Sequence, residues 1–215
     1  IACFWMKQVF HNKGDSTDSH GARVTGDPAF DTYQYAGTGL KKLPISNDKH
    51  QAVELLSELL DAAAVQLTSF ETGSILKEVD SDIEARLDRA QRQEAELLGK
   101  MISAQEELDW TVYQLYGVLD EALVYKGELP SIQLGERAFE IHLARRIAAG
   151  ETESTWFKRH GSTPISEIPD HWPEDYKKLV ERRLEAIQDN RWIKLVEQPE
   201  YKRRWNRDTW EDRLN

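Results

Sequence analysis

From about residue 82 to residue 116 the sequence keeps an apolar seam at helical spacing without a break. Ile83, Leu87, Ala90, Leu97, Met101, Ala104, Leu108 and Leu115 sit near a heptad repeat, with Glu84, Arg86, Asp88, Arg89 and Arg92 outside it. At 1.5 Å per residue such a helix spans roughly 50 Å and requires a partner to lie against. Its last turns, EELDWTVYQLYG from Glu106 to Gly117, are apolar over a wide arc. Leu108, Val112 and Leu115 fall on one stripe, and Trp110, Tyr113 and Tyr116 on the next. A helix of that kind is packed on two sides. Gly117 is placed to end it, because glycine takes the left-handed conformation without a Cβ penalty.

The partner is the segment from about 48 to 68, where Val53, Leu56, Leu60, Ala63 and Leu67 recur at three and four residues, with Asn47 or Asp48 as N-cap. Between the two lies Phe70-Glu71-Thr72-Gly73, then room for a short helix, then Ser81 and Glu84 at capping-box spacing. Residues 46–117 are therefore expected to form a long antiparallel helical hairpin. Residues 118–215 are expected to be a C-terminal bundle of shorter helices: one from near Gly135 to Gly150, one over Glu153 to Arg159, and one entered through Pro173 and ending near Asp189. The predicted fold class is mainly α.

Residues 1–45 differ in kind. IACFWMKQVF is apolar, Asn12 to Asp27 is a polar loop, and DTYQYAGTGLKKLPI exits at Leu43-Pro44-Ile45. These are strand signals, although Ile1 to Phe10 reads equally well as a buried helix. The segment is expected to be a small remnant of an α/β domain, and the opening on Ile1 reads as a piece of a longer protein.

The composition, 40% hydrophobic and 31% charged, is that of a folded chain, and no apolar run approaches the roughly 20 residues that cross a bilayer. A cytoplasmic location without membrane contact is expected. The single cysteine, Cys3, excludes an internal disulfide, and its apolar neighbours predict an inert buried thiol. A net charge of -10 argues against a surface that grips nucleic acid everywhere. From Tyr176 to Asn215, however, 11 Lys plus Arg face 8 Asp plus Glu, so the tail is the basic part.

No GxGxxG, GxxxxGK[ST], HExxH or GxSxG occurs, and the histidines lack paired metal-ligand spacing. His142, between Ile141 and Leu143, reads as a packed or capped core histidine. Asp80 with Asp82, and Glu106 with Glu107, read as helix-terminus and surface charges. The tail carries Trp192, Tyr201, Lys202, Arg203, Arg204, Trp205, Arg207 and Trp210. Rings interleaved with arginines can stack bases and neutralise phosphates, or they can dock the tail while the arginines pair with acids.

Five blocks resemble one family. ELDWTVYQLYG (107–117) is similar to the element after the recognition region of large adenine-specific DNA methyltransferases. LGERAFEIHLARRIAAGETESTWFKRHGSTPISEIPDHWPEDYKKLVERRLEAIQDN (134–190) and IKLVEQPEYKRRWN (193–206) resemble the C-terminal region of the PglX family, the methyltransferases of BREX and phage-growth-limitation defence systems. ACFWMKQVFHNKG (2–14) and YQYAGTGLKKLPI (33–45) resemble the closing part of that family's target-recognition domain. The resemblance implies a parent enzyme that uses S-adenosylmethionine to methylate adenine N6 in double-stranded DNA, together with other defence subunits. The family's FxGxG-like and NPPY-like motifs have no match in this chain, so no catalytic, cofactor or metal residue is assigned. The implied role is target recognition and a helical clamp, with Lys41, Lys42, Lys202, Arg203, Arg204 and Arg207 as DNA-contact candidates; the alternative is a module that docks defence subunits.

Overall fold

The apolar seam folds into one uninterrupted helix of 33 residues, Ile83–Leu115. The computed structural model describes residues 1–14, 32–47, 49–75, 82–205 and 207–214, and these are mainly helical. In chain order the elements are α1 (Ala2–Val9), β1 (His11–Gly14), β2 (Thr32–Gln34), α2 (Gly37–Leu40), α3 (Gln51–Leu67), α4 (Thr72–Ile75), α5 (Ile83–Leu115), α6 (Ala138–Ala148), α7 (Trp156–Arg159), α8 (Glu174–Asp189), α9 (Arg191–Val196) and α10 (Trp210–Leu214). Single 3-10 turns follow α3 and α9.

α3 and α5 form the expected hairpin. Leu56, Leu60, Ala63 and Leu67 turn one face of α3 into the core. The antiparallel sense follows from the groove at one end, where Val53 at the start of α3 meets Val112, Leu115 and Tyr116 at the end of α5. The caps differ from expectation. Asp82 caps α5, its carboxylate accepting from the Ala85 N–H at 3.2 Å, while Ser81, Asp80 and Asp48 lie outside the described residues. α3 starts only at Gln51, after His50, with no side-chain cap.

α5 changes character along its length. Its N-terminal half is mostly wet, whereas Met101, Ile102, Ala104, Trp110 and Tyr113 are buried. Trp110 meets Tyr113 edge-on at 5.4 Å. On the side away from α3 the packing comes from α8 and the tail: the Arg183 guanidinium lies 5.2 Å over the Trp110 ring. Tyr116 stays partly exposed and donates to the Pro44 carbonyl at 2.7 Å, which ties the end of the hairpin to the exit of residues 1–45. Gly117 ends the helix at φ 64.

One apolar core continues from Leu60 and Ala63 through α5 to Phe139, Trp156, Trp172, Tyr176, Ile187, Ile193 and Trp205. The turn before α6 depends on Gly135, whose φ is +97 and where an added Cβ would lie 2.5 Å from the Thr163 carbonyl oxygen. Glu140, one turn into α6, reaches back to accept from the backbone N–H of Gly135 and Arg137 at 3.0 and 3.2 Å. Asn190 separates α8 from α9 and caps α9 by accepting from the N–H of Trp192 and Ile193.

The strand signals in Ile1 to Phe10 are overturned in favour of the helical alternative. α1 is a half-buried helix that lays Phe4 edge-on against Tyr201 of the tail at 5.1 Å. A helix satisfies its own backbone groups where no neighbouring strand is available. β1 and β2 pair antiparallel, His11 opposite Gln34 and Asn12 opposite Tyr33, with an irregularity before Gly14. Of the Asn12 to Asp27 loop, residues from 15 onward lie outside the described residues. Cys3 is half-buried, its Sγ 3.8 Å from the Glu200 carbonyl oxygen.

Candidate nucleic-acid interface

The basic tail is threaded across the buried half of α5, and much of its charge is consumed there. Lys202 is 7% exposed. Its ammonium lies 2.7 Å from Glu197 Oε1, 2.8 Å from Asp109 Oδ2 and 3.7 Å from Glu106 Oε1. Tyr113 donates its hydroxyl to the same Glu197 oxygen. Burial alone would drive the Lys202 pKa down, but Asp109 and Glu197 more than offset it and hold the ammonium well above its ordinary value. With three carboxylates around one lysine, one carboxyl is pushed toward its protonated form. Burial, reinforced by Glu197 and Asp109 and opposed by Lys202, raises Glu106 to about 7. Burial and the Glu197 carboxylate push the Tyr113 phenol well above its usual value.

A second buried pair locks the chain beside it. Arg137 and Glu140 meet through two guanidinium bonds of 2.9 and 2.8 Å, and the Trp156 indole N–H donates to the other side of Glu140 at 2.9 Å. The Arg137 Nη1, the nitrogen not bonded to Glu140, donates to the Arg203 carbonyl at 2.8 Å. Burial would raise the Glu140 pKa, yet Arg137 and these bonds bring it below the ordinary carboxylate value. His160 is stacked on Trp156 at 3.9 Å, its Nδ1 2.6 Å from the Trp156 carbonyl.

The acid pair on α5 does not lie at the surface. Glu107 is 1% exposed and Glu106 2%. Arg183 reaches both Glu107 oxygens at 2.8 Å and also donates to the Leu123 carbonyl, while Glu107 accepts from the Tyr125 N–H. The correction has a plain cause. α5 is enclosed from both sides at this level, so every face carries buried groups, and acids survive there because α8 and the tail bring in Arg183 and Lys202. Asp82, by contrast, is a helix-terminus charge as expected.

Farther along the tail, Arg207 bridges Glu71 at 3.0 Å and Glu94 at 2.8 Å, and Arg213 meets Glu94 at 2.6 and 3.0 Å. Arg213 also sits 4.3 Å over the Trp210 ring. Trp205 is buried. Lys202 and Arg207 are therefore engaged within the fold.

Lys41 and Lys42 are exposed in the turn after α2. Arg203 and Arg204 are exposed where the tail crosses α6, with the Arg203 guanidinium 4.2 Å over the Trp205 ring. Trp192 is 53% exposed on α9, with the Arg191 guanidinium 4.4 Å over its ring. Arg191 was not among the residues singled out from sequence; its position directly before a tryptophan was the available signal. His142 is half-buried on the wall of an open groove of about 830 Å³ between α6, α8 and α9, so it does not belong to the core. Burial together with Arg146 and Lys194 lowers its pKa. Among the described residues, no group of three or more His, Cys, Asp or Glu is placed to hold a metal ion, and no helix is long and apolar enough to cross a membrane.

A family model described as a domain of unknown function, DUF7008, matches residues 101–215. The chain belongs to this family. The matched segment begins at Met101, where α5 turns from wet to buried, and it contains the whole Lys202 cluster and both buried arginine pairs. The chain is also 42% identical, over 216 aligned residues, to the adenine-specific methyltransferase PglX of Streptomyces coelicolor (strain ATCC BAA-471 / A3(2) / M145). That alignment covers 98% of this chain and 18% of the relative, so the chain spans under one fifth of the protein it matches. No solved structure matches the chain.

Proposed function

We propose that this chain is the non-catalytic C-terminal part of an adenine-specific DNA methyltransferase of a phage-defence system of the BREX type, and that it positions double-stranded DNA for N6-adenine methylation. The observation that carries this reading is the 42% identity to PglX over 98% of the chain. Residues 1–45 then close the target-recognition domain, 46–117 form a helical spacer, and 118–215 are the helical clamp. The reading places the protein in the cytoplasm, in the company of other defence subunits.

Neither an FxGxG-like nor an NPPY-like sequence occurs in residues 1–215, so S-adenosylmethionine binding and methyl transfer are assigned to the remainder of such a protein. What this chain offers is orientation. Arg203 and Arg204 project from a segment clamped on both sides, by Lys202 to α5 and by the Arg137 bond to the Arg203 carbonyl. Cations held on a rigid backbone fix the register of a duplex better than cations on a free tail. Lys41 and Lys42 add a second cationic point.

The test is DNA binding by the chain across a salt series. Replacing Arg203 and Arg204 by alanine is expected to reduce the slope of log affinity against log salt by about 2. An unchanged slope and affinity with a folded variant would remove the tail from the interface.

A further inference from the structure

Six of the seven tryptophans are buried or half-buried, and Trp192, 53% exposed, is the exception. Its place is rigid. The Asn190 side-chain oxygen accepts from the Trp192 N–H at 2.9 Å and from the Ile193 N–H at 3.2 Å, while Ile193 and Val196 anchor α9 in the core. With those two turned inward, helical spacing sets Lys194, Arg191, Leu195 and Trp192 side by side on the outer arc of α9, and all four are exposed.

The polar groups of this arc are all donors. The Arg191 guanidinium lies 4.4 Å over the Trp192 ring, the indole carries an N–H and no acceptor, and Lys194 adds an ammonium. Neither cation has a carboxylate within ion-pair distance among the described residues, and the indole N–H has no partner there, although the chain carries a net charge of -10. Lys202, Arg207 and Arg213 on the same tail are each taken up by acids. Lys194 also stands on the rim of the groove over α6, with His142, Arg145 and Arg146. Inside that groove the charges are mixed. Arg145 donates to the Ser166 carbonyl and Arg146 meets Glu151 at 3.5 Å, and Glu174, Glu181 and Glu185 of α8 join Glu167 and Asp170 on its lining. An anion is therefore received on the outer arc of α9 and not in the groove. A phosphodiester strand fits a donor-only arc, because it offers acceptor oxygens at regular intervals and no competing donor. Arg191 and Lys194, three residues apart on one helix, are about 5 to 6 Å apart at Cβ, close enough to serve a single strand.

We propose that the Arg191, Trp192 and Lys194 arc of α9 is a further contact for duplex DNA, with Arg191 and Lys194 on phosphates of one strand and the Trp192 indole N–H donating to a phosphate oxygen beside them. This rests on the reading that the chain positions DNA, and it adds a rigid point outside the segment that carries Arg203 and Arg204. The ring beneath the Arg191 guanidinium orients it in advance, so less side-chain freedom is lost on contact.

The test is duplex binding by the 215-residue chain across a salt series, with folding checked by thermal unfolding. Arg191→Gln with Lys194→Gln is expected to lower the slope of log affinity against log salt by about 2. Trp192→Phe, which keeps a ring and removes the N–H, is expected to weaken binding several-fold at every salt concentration with the slope unchanged. An unchanged slope in the folded double variant would overturn the proposal. So would a double variant that loses binding to poly-glutamate while keeping its duplex affinity, which would make the arc a surface for an acidic polypeptide. Arg203→Ala with Arg204→Ala, measured alongside, separates the two readings. A chain that binds duplex and responds only at Arg203 and Arg204 keeps the proposed function and loses this contact, whereas a chain with no salt-dependent affinity for duplex defeats both.

Discussion

Lys202 shows how burial decides the meaning of a basic residue. In sequence it stands with Arg203 and Arg204 as one cationic run, but its ammonium lies among Glu197, Asp109 and Glu106. Removing it strands buried carboxylates. Lys202→Ala is expected to cost about 3 to 5 kcal/mol in chemical denaturation, whereas Arg203→Ala with Arg204→Ala, which removes exposed cations and the Arg203 contact with the Trp205 ring, is expected to cost no more than about 1 kcal/mol. A DNA-binding loss in a triple variant would therefore confuse unfolding with contact. Glu106 provides a second check. Its folded pKa of about 7 lies above its ordinary value of 4.5, so the folded state holds the extra proton. The stability this contributes is complete below about 4.5 and is lost as pH rises through about 7. Glu106→Gln is expected to flatten the fall in denaturant midpoint between pH 5.5 and 8 relative to the unsubstituted chain. An equal fall in both proteins would refute the assignment. The burial of Glu106 and Glu107 was not legible in the sequence, because their partners Lys202 and Arg183 are some 75 to 95 residues away and only the fold joins them.

At the scale of elements, local pattern carried furthest where it was longest. The apolar seam of α5 and its aromatic end predict a helix packed on both sides, and the fold provides α3 on one and α8 with the tail on the other. The short segments were harder. Ile1 to Phe10 is apolar enough for either period, and helix wins because Phe4 then reaches Tyr201. Arg137 and Glu140 were invisible as a pair, since neighbouring opposite charges on a helix are usually solvated. The turn before α6 makes its own prediction. Gly135→Ala meets both a positive φ and the Thr163 carbonyl, and is expected to destabilise by roughly 1 to 3 kcal/mol, read as a lower thermal midpoint. Arg183→Met, which leaves Glu107 buried without its cation, is expected to cost at least as much, and Arg183→Met with Glu107→Gln to recover part of it.

For the molecule as a whole, one core joins the hairpin to the C-terminal helices, and the family match begins inside α5, so the long helix is a shared beam. The tail is clamped to that beam by buried ion pairs and presents Arg203 and Arg204 outward. On the proposed function, this chain orients DNA for a methyltransferase active site elsewhere on the same polypeptide. The direct measurement is site-specific adenine methylation by the full-length protein carrying Arg203→Ala and Arg204→Ala, followed across DNA concentration with folding verified by thermal unfolding. The expected result is a raised KM for DNA, by about ten-fold or more, with kcat retained at saturating DNA. Methylation unchanged at every DNA concentration in a folded variant would contradict it.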